Sequence, residues 1–409
     1  MSDARGAASA PAVVLGLSPT GLGVARSLGR RGVPVYGVDA NPSAVGRHSR
    51  YCHYHEGLSR CVANGDVRGL VTGLRELARD AEQPPVLFPT TDAFIETLTA
   101  VADELESFLR LSTDLGRFGL DFLSKRKFYD LCRRHDVELP LTFFLSSETD
   151  LPEAQAGVRY PAILKPVFVH RFRALLGSRK VVRVSSAAEL EVAFSELAQV
   201  DPNLIVQEVI PGPDDQIWCA ICYFGRDGRS RSVFVARKLR QYPPGFGSAS
   251  LAESRWNSEV AELSDRFLTR VGFRGLCATE FKRDPRDGRF KMIEVNARVP
   301  LWVSLAEAAG VDVAYACYSD LVGRGCQTTD QVDGVRWIFL PKDLASAVRD
   351  ARRGGLGWSE WIASLRGCRA DAVWAPDDPG PALSLPIYLA SKGVRRLWRR
   401  TMRRIAPGS

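Results

Sequence analysis

Near the start of the chain, APAVVLGLSPTGLGVARSLGRRGVPVYGVDA holds two short, continuously apolar stretches separated by a glycine-rich turn and an amphipathic segment. Continuous rather than alternating hydrophobicity is what a strand buried on both faces requires. The run therefore predicts strand, turn, helix and strand, the opening of a doubly wound α/β unit. PPVLFPTTDAFIETLTAVADEL supplies another strand, turn and helix, so residues 1–112 read as one Rossmann-like domain. From Thr113 the pattern changes. FLSKRKFYDLCRRHDV predicts one charged amphipathic helix and RYPAILKP an apolar strand closed by Lys165. KVVRVSS, AAELEVAFSELAQ and LIVQEVIPG then read as strand, helix and strand, giving an α+β lobe of antiparallel strands over 113–207. Residues 208–330 carry IWCAICYF, SVFVARKL, the helix SEVAELSDRFLTRVG and the strands around Glu280 and Glu294, and 331–409 form a C-terminal extension.

The segment CATEFKRDPRDGRFKMIEVNA reads as a hairpin, with DPRDG as its turn. A turn centred near Asp287 sets Glu280 opposite Glu294, with Asn296 on the same face and Thr279, Phe281, Ile293 and Val295 on the other. Two carboxylates directly opposed on a bare sheet repel. Protonation of one, or a cation between them, relieves that repulsion. Two glutamates and an asparagine form the all-oxygen set that Mg²⁺ accepts, with waters and substrate phosphates completing its shell. Phosphate in turn calls for cations, and Lys125, Lys165, Arg237, Lys238, Arg240 and Arg298 are available.

Charge and cysteine usage narrow the setting. The net charge of +8 resembles a nucleic-acid signal until it is located. Seven basic residues and no acidic one fall within 391–409, which leaves +1 for the rest. Nucleic acid is therefore not the expected partner. In GVRRLWRRTMRRI, Val394, Leu397, Trp398, Met402 and Ile405 recur at helical spacing with six arginines between them, a pattern that suits an anionic membrane, an acidic partner or packing on the enzyme body. No run approaches the length of a membrane span, and the N-terminus lacks signal-peptide features, so a cytoplasmic setting is expected. Nine cysteines scattered through apolar stretches suggest reduced thiols, and Cys219 and Cys222 read as buried strand residues rather than zinc ligands.

The order Lys125, YPAILKP, VQEVIPGPDD, then GLCATEFKRDPRDGRFKMIEVNAR and LAEAAGVD resembles the ATP-grasp superfamily of carboxylate–amine ligases. It is most similar to the branch of carbamoyl phosphate synthetase-like and D-aspartate ligase-like proteins, over residues 12 to 330. That resemblance implies a Rossmann-like pre-ATP-grasp domain followed by a two-lobed ATP-grasp fold. It also implies ATP with Mg²⁺, or Mn²⁺, as cofactors, and an ADP-forming ligase that activates a carboxylate as an acyl phosphate and joins it to an amine. Lys125 and Lys165 would contact the phosphates. Gln207, Glu208, Val209 and Ile210 would form the adenine-receiving hinge, and Asp214 or Asp215 would bind ribose. Glu280, Glu294 and Asn296 would hold the metal, and Arg298 with Lys238 or Arg240 would steady the transferring phosphate and the substrate. One departure stands out: where family members often carry a glycine-rich loop, KPVFVHRFRALLGSRK has one glycine and the bases His170, Arg171, Arg173, Arg179 and Lys180. Side-chain cations would replace backbone amides there. Two rival readings are a non-catalytic nucleotide-binding regulator and an NAD-dependent oxidoreductase built on GLSPTGLG and Asp39. A homodimer is compatible with all three.

Overall fold

In the computed structural model the described residues are 9–167, 181–326, 329–352 and 355–391. The basic loop around His170 to Lys180 and the tail beyond Ser391 lie outside them. Three sheets organise the chain. The first is parallel, with strands β1 (Ala12–Leu15), β2 (Val35–Val38), β3 (His53–Tyr54), β4 (Val86–Pro89) and β5 (Arg110–Leu111) in the order β3-β2-β1-β4-β5. Every residue of β1 is buried, as its unbroken apolar run requires. The strand-to-helix turn that follows is dictated by close packing. Gly16 has φ +93°, and a Cβ on Gly21 would lie 1.9 Å from the Gly16 carbonyl oxygen. Only glycine lets the helix Pro19–Gly29 seat this tightly on the turn.

The second sheet holds β6 (Thr142–Leu145), β7 (Ala162–Pro166), β8 (Val182–Val184) and β9 (Leu204–Glu208), antiparallel in the order β6-β9-β7-β8. The helix Ala187–Ala198 covers it with Leu190, Ala193, Phe194 and Leu197. The stretch FLSKRKFYDLCRRHDV differs from its sequence reading. It is split between two helices, Leu115–Leu123 and Lys125–Arg134, because Ser124 leaves helical geometry and caps the second one with its hydroxyl.

The third sheet contains β10 (Ile217–Phe224), β11 (Ser230–Tyr242), β12 (Ser248–Ser254), β13 (Gly275–Arg283), β14 (Phe290–Asn296), β15 (Arg336–Ile338) and β16 (Cys368–Asp371) in the order β14-β13-β10-β11-β12-β15-β16. It is buried on both faces, which explains the unbroken hydrophobicity of IWCAICYF. Cys219, Ile221 and Tyr223 pack into one core, and Ala220, Cys222 and Phe224 into the other. Cys219 and Cys222 therefore point to opposite sides of the sheet and share no ion.

Two features of the C-terminal region escaped the sequence reading. The large sheet continues past residue 330, since β15 pairs with β12 and β16 with β15. These strands are too short to show a period. Residues 371–378 then return to the first domain. Arg26, buried in the first helix, donates to the Asp378 carboxylate at 2.9 Å and to the carbonyls of Val373 and Asp378 at 2.7 and 2.8 Å. Ser49 Oγ and the Arg50 amide donate to the same carboxylate.

Candidate active site

Strands β13 and β14 build the centre. Glu280 pairs directly with Glu294, Thr279 with Val295 and Ala278 with Asn296. A bulge after Glu280 shifts the register, so that Phe281 faces Met292. The hairpin alignment read from the sequence thus holds on the acid-bearing side and slips by one residue toward the turn.

Each acid has its own lysine. Lys238 Nζ, 5% exposed on β11, lies 2.8 Å from Glu280 Oε1. Lys125 Nζ, at the start of its helix, lies 3.4 Å from Glu294 Oε2. Asn296 Nδ2 donates to Glu294 Oε1 at 3.1 Å, Arg298 Nη2 to Asn296 Oδ1 at 3.0 Å, and Arg298 Nε to Asp92 Oδ1 at 2.5 Å. An unbroken chain of polar contacts therefore runs from Glu294 to Asp92, which opens a helix of the first domain.

Burial pushes the Glu280 carboxyl up, and the neighbouring Glu294 charge adds to that, although Lys238 opposes both. For Glu294, burial also acts upward, but Lys125, the Asn296 amide and Lys238 outweigh it and hold the group at about 2. Lys238 and Lys125 stay above the usual ammonium value despite burial, because each faces a glutamate. Among the described residues, no group of three or more His, Cys, Asp and Glu side chains could hold a metal. The set is two carboxylates and an amide, hard oxygen donors that suit Mg²⁺ shared with substrate phosphates and do not make a closed protein cage. In the present arrangement an ammonium group lies beside each carboxylate.

Lys165, at the end of β7, donates to Gln207 Oε1 at 2.9 Å. Gln207 also donates to Thr142 Oγ1 at 2.9 Å and to the Tyr129 hydroxyl. Burial, then the nearby Lys125 charge, lower Lys165 to about 7, with Glu294 opposing.

At the hinge, the amides of Glu208 and Val209 donate to the carbonyls of Leu141 and Pro161 at 2.9 Å each. The Glu208 carboxylate is turned away to structural partners, accepting from the Leu141 amide at 2.9 Å and from Arg286 Nη2 at 2.7 Å. Asp284, fully buried, takes Lys291 Nζ at 2.6 Å and the Arg286 amide at 3.0 Å. The DPRDG turn is thereby riveted to the hinge strand, a role that a turn-like composition does not reveal. Asp214 accepts from Gln241 Nε2 at 2.7 Å, and burial raises its carboxyl against the opposing charges of Lys238 and Lys282. Asp215 accepts from Gln216 Nε2 at 3.1 Å.

Lys238 and Arg240, offered by the sequence as alternatives, separate. Lys238 meets Glu280, whereas Arg240 grips buried Asp343 with Nε and Nη2 at 3.0 and 2.7 Å and reaches Ser364 Oγ with Nη1 at 2.8 Å. Arg237 is likewise engaged, with Glu253 at 2.9 Å. Asp39, on which the oxidoreductase reading rested, accepts from the Leu17 amide at 2.7 Å and the Asn41 amide at 2.7 Å, so it serves the turn itself.

A parallel-sheet domain followed by two lobes, with lysines and facing acids between them, is the arrangement of an ATP-grasp fold. Residues 248–323 match the family model of the carbamoyl-phosphate synthase L chain ATP-binding domain. The chain is 23% identical over 286 residues to a D-aspartate ligase of Enterococcus faecium (strain Aus0004), an alignment that spans 66% of this chain and 68% of that one. It is 25% identical over 198 residues to a D-alanine–D-alanine ligase of Pseudomonas putida (strain GB-1), covering 43% of this chain and 56% of that one. Among solved structures, the ADP complex of an N5-carboxyaminoimidazole ribonucleotide synthetase superposes with a TM-score of 0.64 at 14% identity, over 84% of this chain and 85% of that one.

Proposed function

We propose that the protein is an ATP-dependent ligase that activates a carboxylate as an acyl phosphate and joins it to an amine, releasing ADP and phosphate. The observation that carries this reading is the direct pairing of Glu280 with Glu294, flanked by Lys238 and Lys125. Mg²⁺ held by Glu280, Glu294 and Asn296 would neutralise the nucleotide phosphates, and Mn²⁺ suits the same oxygen donors. Lys125 and Lys165 bind phosphate oxygens from the small-lobe side. The remaining backbone groups of Gln207 to Ile210 receive adenine, and Asp214 or Asp215 receives ribose. A substrate carboxylate oxygen attacks the γ-phosphorus as the bond to the ADP oxygen breaks. The amine lone pair then attacks the acyl carbon, the carbon–oxygen bond to phosphate breaks, and the nitrogen loses a proton. Such transfer depends chiefly on positioning and charge neutralisation, so no Ser, Cys or His nucleophile is needed. Lys238 and Arg298 are the cations placed to steady the transferring group.

The test is a screen of carboxylic acids and amines in pairs, starting with amino acids such as D-aspartate, for Mg²⁺-dependent release of ADP and phosphate. Nucleotide binding without any substrate-stimulated ADP release would instead favour the regulator. A second measurement addresses Lys165. With its ammonium lowered to about 7, the group is largely neutral at pH 8, and polyphosphate binding draws a proton onto it. Calorimetry in buffers of different ionisation heat is expected to show uptake approaching one proton per nucleotide at pH 8, little at pH 6, and loss of the effect in Lys165→Met. Equal uptake at both values would refute the assignment.

We further infer that the basic C-terminus engages an anionic membrane surface. The favouring observation is the last described helix, 380–391, whose Leu383 and Ile387 are 77% and 63% exposed, one helical turn apart. Seven basic residues follow in the sequence. Among the described residues no helix is long and apolar enough to cross a membrane. Flotation with anionic vesicles is expected for the full chain, and loss of it on removing residues 391–409. Light scattering alongside reads out a homodimer as the competing use of this surface.

A further inference from the structure

Where the small-lobe sheet meets the large one, charges from both are buried together. Glu208, at the end of β9, and Asp284 and Lys291, from the β13–β14 hairpin, are all buried, and Arg286 closes the cluster from the surface. Arg286 Nη2 bridges the two acids, 2.7 Å from Glu208 and 2.5 Å from Asp284, while Lys291 Nζ lies 2.6 Å from Asp284 and 3.7 Å from Glu208. The four charges cancel. Two exposed ions stand at the rim, Arg159 at 3.8 Å from Glu208 and Asp287 at 3.4 Å from Lys291. Burying such a network adds little net stability, because the loss of hydration offsets most of the attraction. What it supplies is a fixed geometry.

That geometry acts on the hinge. The Glu208 carboxylate accepts from the Leu141 amide at 2.9 Å, and the Glu208 amide donates to the Leu141 carbonyl at 2.9 Å, so one residue clasps the same neighbour with its side chain and its main chain. On the other side Glu208 pairs with Ala162 of β7. Holding the carboxylate therefore holds the peptide planes that follow it. The hairpin that carries the clamp also carries the facing acids: Asp284 follows Glu280 by four residues, about 13 Å along an extended strand. A second tie reinforces the first, since the Met292 amide donates to the Glu138 carbonyl at 2.8 Å, just ahead of β6.

We propose that Arg286, backed by Asp284 and Lys291, is a positioning residue that sets the purine selectivity of the nucleotide site, a role that depends on Gln207 to Ile210 receiving adenine. Adenine presents a donor at N6 and an acceptor at N1, whereas guanine presents an acceptor at O6 and a donor at N1. A backbone edge held in one orientation pairs with the first pattern and leaves polar groups unmatched against the second. A hinge released to rotate loses that discrimination. Phosphate binding, by contrast, rests on Lys125, Lys165 and the facing acids, which the clamp does not touch.

The test is calorimetry on the full chain with MgADP, MgGDP and magnesium tripolyphosphate. The wild type is expected to prefer MgADP to MgGDP by at least about tenfold. Arg286→Ala should lower that ratio by roughly tenfold, through weaker MgADP binding, and leave tripolyphosphate binding unchanged. Arg286→Lys, which keeps a cation at the clamp, should restore part of the ratio. Glu208→Gln keeps an acceptor for the Leu141 amide but not the charge, so it should repeat the loss, and it replaces Arg286→Ala should that variant not fold. A merely structural role would weaken all three ligands together, and that result overturns the proposal. So does a ratio that neither variant changes, or a wild type that binds both nucleotides equally. No MgADP binding by the wild type overturns the assignment of the nucleotide site itself, and the role of Arg286 with it.

Discussion

Replacing Glu294 with alanine is expected to lower kcat by at least about a thousandfold, the scale reached when charge stabilisation of a transferring group is removed. The carboxylate meets Lys125 on one side and Asn296 on the other, and directly faces Glu280. On the proposed reading its loss removes an anion from the divalent-ion set, and it leaves Lys125 beside an empty position. Glu294→Gln separates the two contributions, since it keeps a partner for Asn296 but not the charge. Both variants should fold, because Glu294 is only partly buried on the edge strand, its side chain 36% accessible. Steady-state ADP release at several Mg²⁺ concentrations is the measurement, and full activity in Glu294→Ala would eliminate the metal assignment.

Asp378→Ala is expected to destabilise the fold by about 3–5 kcal/mol, the penalty for stripping one partner from a buried ion pair. Arg26 and Asp378 have side chains only 5% and 2% exposed, so the remaining guanidinium could not turn to water. A fall in Tm of roughly 5 °C follows for a chain of this length. Replacing both residues with leucine should recover much of the loss, because no uncompensated charge remains. Thermal unfolding of the two single variants and the double one checks this, and strict additivity would show that the two residues act independently.

The alternation of Glu280, Glu294 and Asn296 with apolar residues was legible because period-two patterns survive in any sequence that builds a half-buried hairpin. The opening β-turn-α unit was legible from unbroken apolar runs around glycines. The break at Ser124 was not, since an amphipathic period continues across it while a single capping hydroxyl restarts the helix. Arg240 illustrates a second limit: its sequence neighbourhood matched that of Lys238, and only Asp343, a hundred residues on, claims it. The Arg26–Asp378 pair and the hold of Arg286 and Lys291 on Glu208 escaped for the same reason, as contacts between distant segments leave no local signature.

Arg298 is shared between Asn296, beside the chemical centre, and Asp92, which is 56% exposed on the first domain. A negatively charged reactant that draws this guanidinium inward must lengthen its hold on Asp92. Cleft occupancy and the contact between Arg298 and Asp92 are then opposite ends of one seesaw, while the shared core and the Arg26–Asp378 pair hold the leading domain in place.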